Sequence, residues 1–201
     1  MESWKLHLLA FLSLTLLASE LRAYQYVDIL YFPANSTYPA GHIAALFYES
    51  DRYWGPDQAM ERTRDGISRA FELPIEGVNT GNQLKGTRGY ISFGLKDASD
   101  KSRYFFNKQS LIFDLEGIGD KKLKIYQLPV LESAVEVSYK VDKYKLLKNN
   151  CAQAGASVCS QLFDHFNWKG FTPSGFVHTL KQQFNMDKAS LDVKLKDFWC
   201  N

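Results

Sequence analysis

Residues 144–166 read YKLLKNNCAQAGASVCSQLFDHF, and this stretch decides the fold. Cys151, Ala154, Val158, Cys159, Leu162, Phe163 and Phe166 recur at helical spacing, which predicts a helix over residues 150–166 with one apolar face. Asn150 is suited to cap it, because an Asn side chain accepts a backbone N–H of the first turn. Cys151 then lies where the helix dipole favours negative charge. A thiol in that place can have its pKa lowered from about 8.5 towards 7 or below, which makes a usable nucleophile. First-turn N–H groups can also hold a developing oxyanion. The same pattern fits a buried structural cysteine on the apolar face, and residues 149–151 alone leave both readings open.

Outward from this helix the chain reads mostly as strands. Residues 24–32 (YQYVDILYF) are aromatic and β-branched and end at Pro33; residues 42–48 (HIAALFY) are dense in apolar side chains. Residues 89–95, 111–115 and 123–128 are further strand candidates, with a turn at Gly117 to Gly119. Residues 60–71 predict a helix, and residues 73–86 an irregular loop. Pro173 opens a last helix to Phe184. Residues 135–141 alternate like a strand but also admit a helix from Leu131. The fold class is α+β: one domain with a largely antiparallel sheet packed against the helix that carries Cys151.

His42 is the second residue with chemistry to offer. It follows Gly41 at the start of an apolar strand, where packing has no need of a polar ring. An imidazole near a thiol serves as general base and then as acid for the leaving group; a structural histidine is the plainer alternative. His165 is about four turns from Cys151 along the same helix and cannot reach it. His178 lies in the last helix without supporting residues. The histidines and cysteines have no compact metal-ligand spacing, so neither a metal nor another cofactor is expected.

Taken together, two stretches resemble a known family. Gly41-His42-Ile43-Ala44-Ala45-Leu46, with the later Tyr90-Ile91-Ser92-Phe93, resembles the histidine strand pair of circularly permuted, papain-like (NlpC-like) thiol hydrolases, relatives of lecithin–retinol acyltransferase. Tyr144 to Cys151 is similar to their entry into the nucleophile helix, and Thr172-Pro173-Ser174 to a helix start that follows it. In that family, too, His precedes Cys. The resemblance implies a permuted papain-like fold, Cys151 as nucleophile, His42 as base, Asn150 at the oxyanion end of the helix, and a helix over residues 131–141. It also implies a third polar residue on the strand beside the histidine. That place offers Ser92, a hydroxyl rather than a carboxylate, with Asp28 as the substitute. The implied activity is an amidase or peptidase acting through a Cys–His dyad on a peptide, peptidoglycan or host-protein substrate. Acyl transfer or thioester hydrolysis on lipid uses the same dyad, and a binding module that keeps the fold without turnover is the non-enzymatic alternative.

Residues 1–23 predict the compartment. Lys5 precedes an apolar run over residues 8–18, too short to span a bilayer, and Leu21-Arg22-Ala23 suits signal cleavage. A cleaved, exported chain is expected, with residues 24–201 as a single domain, monomeric and without a membrane-spanning segment, either extracellular or periplasmic. Asn35-Ser36-Thr37 is a glycosylation sequon. Lys and Arg total 24 against 22 Asp and Glu, a balance without the basic footprint of a nucleic-acid binder. The chain has 3 cysteines. Export favours pairing, and Cys151 and Cys159, about 12 Å apart on one helix, are too distant to bond. If Cys151 stays free, Cys159 can tie to Cys200, a loop closure worth about 3–4 kcal/mol; otherwise Cys159 is simply buried and reduced.

Overall fold

Strands β1 (Tyr24–Phe32) and β2 (His42–Ser50) are buried on both faces, because the sheet they form has helices on either side. Val27, Ile29, Ile43, Ala45 and Phe47 point to one core; Tyr26, Leu30, Phe32, Ala44, Leu46 and Tyr48 point to the other. Period-2 alternation of this kind, apolar on both parities, marks a central strand pair. The computed structural model describes residues 24–36, 38–72, 77–80, 83–86, 88–94, 103–105, 108–131, 135–140, 144–187 and 191–194. Residues 1–23 and Cys200 lie outside that set.

After β2 come a short 3-10 turn (Pro56–Gln58), α1 (Ala59–Glu72), β3 (Gly77–Thr80), β4 (Gln83–Gly86), β5 (Gly89–Gly94) and β6 (Arg103–Phe105). Then follow α2 (Lys108–Gly117), β7 (Leu123–Gln127), β8 (Val137–Lys140), α3 (Cys151–Leu162), α4 (Pro173–Gln183) and β9 (Leu191–Val193). The main sheet has strand order β6-β5-β2-β1-β7-β9, antiparallel at every pairing. A second sheet, β3-β4-β8, is also antiparallel. Ile67 of α1 and Leu111 and Leu115 of α2 cover one face of the main sheet; α3 and α4 cover the other through Val158, Cys159, Phe176 and Leu180. The molecule is thus α+β, with the Cys151 helix packed on an antiparallel sheet.

Three expectations are corrected. Residues 111–115 are helical, within α2. Leu111, Asp114, Leu115 and Ile118 are buried at i, i+3, i+4 and i+7, while Phe113 is exposed. Residues 73–86, expected as a loop, contain the β3–β4 hairpin. Residues 137–140 form a strand, as their alternation suggested, and not the helix that the family resemblance favoured; Val137 buries on the α3 side and β8 extends the hairpin.

One buried ion pair braces the layer of α1. Asp28 of β1 is fully buried and meets Arg62 of α1 at 2.8 Å. The guanidinium also donates to the Val27 and Leu128 carbonyls, and lies over the Tyr26 ring. Burial lifts the Asp28 pKa despite Arg62, Thr63 and Tyr48 beside it. Tyr48 is held in turn by its hydroxyl, which donates to the Arg62 carbonyl at 3.0 Å.

That anchored ring explains Gly66 in the middle of α1. A Cβ there would lie 2.4 Å from the Tyr48 ring. Ala is normally better than Gly in a helix by about 1 kcal/mol, but overpacking a fixed ring costs about 1–3 kcal/mol. Gly66→Ala is expected to lower the urea midpoint of unfolding. An unchanged or raised midpoint would show that the Tyr48 ring yields freely.

Candidate active site

The Cys151 helix begins as its residues dictate. Asn150 is the N-cap of α3: its Oδ1 accepts from the Ala152 and Gln153 N–H groups at 3.0 and 3.2 Å, and Gln153 Oε1 accepts from the Asn150 N–H at 3.1 Å, closing a capping box. The Asn150 amide nitrogen donates to the carbonyls of Leu146 and Phe171. Both ends of that side chain are therefore occupied, and it is a cap and clamp rather than an oxyanion donor. The Cys151 N–H is the first-turn donor that this cap leaves aside.

His42 stands on the α2 side of the sheet. Alternation puts it with Ala44 and Leu46, and with Ser92 and Tyr90, which face those two residues across β5. Gly41 before it has φ of +80°, a conformation that disfavours a side chain, and an added Cβ would lie 3.1 Å from the Phe32 carbonyl oxygen. This tight turn also positions Tyr38: the Gly41 N–H donates to the Tyr38 carbonyl, and the Tyr38 N–H donates to Asn35 Oδ1. The Tyr38 ring then stacks on His42, with centroids 4.3 Å apart. Asn35, the sequon residue, thus serves this turn; its amide nitrogen donates to the Pro33 carbonyl.

His42 Nε2 lies 2.8 Å from Ser92 Oγ and 3.5 Å from Asp114 Oδ2. The Ser92 position agrees with the sequence reading. The carboxylate does not: a hydroxyl was expected in place of an acid, and Asp114 supplies the acid from α2. Reading residues 111–115 as a strand hid it, although Asp114 shares a helical face with Leu111, Leu115 and Ile118. Tyr90 donates to Asp114 Oδ2 at 2.7 Å, and Tyr38 donates to Oδ1. Ser92 and Asp114 thus meet the same ring nitrogen of His42, and two phenols hold the carboxylate there. Asp28, the substitute orienting group, is engaged with Arg62 instead.

Cys151 lies close enough to His42 for each to shift the other's pKa. With Nε2 turned to Ser92 and Asp114, Nδ1 is the nitrogen left for the thiol. The Ile43 and Ala152 N–H groups also bond to the sulfur. Burial works against charge on Cys151, but His42 and these donors outweigh it and hold the thiol below its ordinary pKa. Burial also opposes charge on His42; Asp114 and Cys151 overcome it and push the imidazole up to about 10. Asp114 is likewise lowered against burial by His42, Tyr38 and Tyr90. Each shift is in the direction that favours a thiolate, an imidazolium and a carboxylate side by side.

The remaining candidates lie elsewhere. Cys159 is a free thiol, fully buried, and burial pushes its pKa up, which makes it inert. It stands in contrast to the expected Cys159–Cys200 tie; Cys200 is outside the described residues. His165 packs edge-on against Phe163 and Phe184, and His178 lies on the exposed side of α4. Among the described residues no group of three His, Cys, Asp or Glu is arranged to hold a metal ion. No helix among them is long and apolar enough to cross a membrane. The chain matches no family model, no curated protein sequence and no solved structure.

The charge chain has a measurable signature. Alkylation of Cys151 by iodoacetamide, followed against pH, should reach half its maximal rate below the ordinary thiol range near 8.5. His42→Ala removes the largest opposition to burial and leaves only the backbone donors, so the midpoint should rise into or above that range, and the rate at neutral pH should fall about tenfold or more. Asp114→Asn weakens the imidazolium and should move the midpoint in the same direction. Equal midpoints in all three proteins would overturn the assignment. Cys159 should stay unmodified throughout.

Proposed function

We propose that the chain is an exported cysteine hydrolase of permuted papain-like fold that cleaves an amide or isopeptide bond. The observation that carries this reading is the contact of Cys151, at a helix N-terminus, with a histidine that is itself held by Asp114. Attack by the Cys151 sulfur on the carbonyl carbon forms a C–S bond and puts negative charge on the carbonyl oxygen. The Cys151 N–H at the head of α3 is the donor available for that oxygen. His42, already protonated, gives its proton to the leaving nitrogen as the C–N bond breaks, which leaves a thioester and a neutral imidazole. His42 then takes a proton from water, whose oxygen attacks the thioester. The acid product leaves, and the thiolate and imidazolium are restored. Asp114, Ser92 and Tyr90 hold the ring throughout; they are positioning residues.

The fold reading is supported by the chain order of His42 before Cys151 and by the antiparallel sheet against which α3 packs. The export reading rests on the apolar run of residues 8–18. Peptides, including those of peptidoglycan or of a host protein, suit an amide-cleaving thiolate. The binding-module alternative drew its support from a weak third residue, and Asp114 removes that support. One observation favours acyl transfer on lipid as a second reading: Leu146, Leu147 and Phe171 are exposed beside the head of α3.

Turnover of amide and thioester substrates separates these readings. Cys151→Ala should abolish hydrolysis, and His42→Ala should lower kcat on the order of 10²–10⁴-fold. Mass spectrometry of quenched reactions should find the acyl group on Cys151. Hydrolysis that survives Cys151→Ala, or an acyl group on another residue, would overturn the nucleophile assignment.

A further inference from the structure

Residues 144–149 expose what a chain ordinarily hides. Leu146 and Leu147 are 64% and 63% exposed, side by side at the tip of a tight turn. The turn is closed by its own backbone. Lys145 N–H donates to the Asn149 carbonyl at 2.8 Å, and the Lys148 and Asn149 N–H groups donate to the Lys145 carbonyl at 3.0 and 2.9 Å. The leucines are therefore held outward by a fixed backbone. The Asn150 amide gathers a second apolar group beside them, since it bonds both the Leu146 and the Phe171 carbonyls; Phe171 is 50% exposed. Lys145, Lys148 and Lys169 are exposed around these groups, and residues 144–150 and 168–174 contain no Asp or Glu.

We propose that this tip, Leu146 and Leu147 with Phe171 and its flanking lysines, docks the protein on an anionic bilayer. A convex pair of leucines suits a soft medium that closes around it, whereas a protein partner would need a matching pocket. Exposed leucine and phenylalanine bordered by lysine is the composition of interfacial segments. The exposed lysines complement anionic headgroups, each worth roughly fivefold in binding. Burying each leucine adds roughly tenfold or more. The loop runs directly into Asn150 and Cys151, so docking brings the head of α3 to the membrane surface. The inference concerns where the protein sits and holds whether or not Cys151 turns over.

The test uses the Cys151→Ser chain, so that catalysis plays no part. Co-sedimentation is measured with vesicles of phosphatidylcholine alone and with equal parts of phosphatidylglycerol and phosphatidylcholine. Binding is expected to the anionic vesicles and to be weakened by salt. The Leu146→Ser/Leu147→Ser pair should lower it by roughly 100-fold, and Lys145→Gln/Lys148→Gln by roughly 25-fold. The main-chain carbonyl that meets Asn150 survives these changes. Alkylation of Cys151 at an unchanged rate, in the same variants with the cysteine restored, confirms an intact site. Equal binding to neutral vesicles, binding undiminished by the leucine pair, or no binding to either vesicle would overturn the proposal. So would a dimer that the leucine pair dissolves in the absence of vesicle binding.

Discussion

The His42 imidazolium is the charge on which the candidate site depends. It sits in the protein interior, where an unpaired ion would cost several kcal/mol. Two negative groups make it tenable: Asp114 at one ring nitrogen and the Cys151 sulfur at the other. Each of those is itself buried and is held charged by His42 against that burial. Each member of the chain favours charge on the next. The three residues come from three separate elements, α2, β2 and α3, and the sheet that carries His42 lies between the two helices.

The chain contains a second buried carboxylate with a different fate, and the comparison shows what sets each role. Asp28 and Asp114 both lie on the same side of the sheet, and both are almost fully buried. Asp28 meets a guanidinium, which holds a permanent positive charge and has no proton to exchange. The result is a brace between β1 and α1. Asp114 meets an imidazole, whose charge can come and go, and it is further bonded by two phenols that stay protonated because burial and the carboxylate raise their pKa values. Those hydroxyls fix the carboxylate without neutralising it. The partner, more than the depth of burial, separates a structural acid from one that can tune a base.

Cys151 and His42 were legible as candidates because their signals are local, although only the family resemblance joined them. Asn150 before Cys151 is a capping pattern, and Gly41 before His42 is a turn that releases a polar ring at a strand start. Ser92 was legible too, since two apolar strands with matching alternation pair as neighbours. Asp114 was not. Its assignment needs residues 111–115 to be helical, and five residues of LIFDL satisfy a short strand as well as a helix. The period becomes decisive only when Ile118 is added, beyond Gly117, which reads as a turn. The β3–β4 hairpin escaped for a related reason: its strands are four residues each, and GVNT and QLKG lack the apolar alternation that announces a strand. Residues 137–140 went the other way. Their alternation was correct, and a family likeness built on distant motifs overrode it.

Asn150 joins the chemistry of the site to its surface. An N-cap needs only one oxygen, and Ser, Thr or Asp would supply it. Asn brings an amide nitrogen as well, and here that nitrogen bonds the Leu146 and Phe171 carbonyls. An Asp in this place would set a carboxylate against two carbonyl oxygens and would push both segments away. A Ser would cap the helix and leave them untied. The choice of Asn therefore makes one side chain responsible for two things: the dipole end that faces the thiolate, and the placement of the loops that border it. Any ligand that shifts Leu146 or Phe171 pulls on the same amide that orients the first turn of α3. Through this bond the exposed apolar tip and the buried charge chain are mechanically one unit.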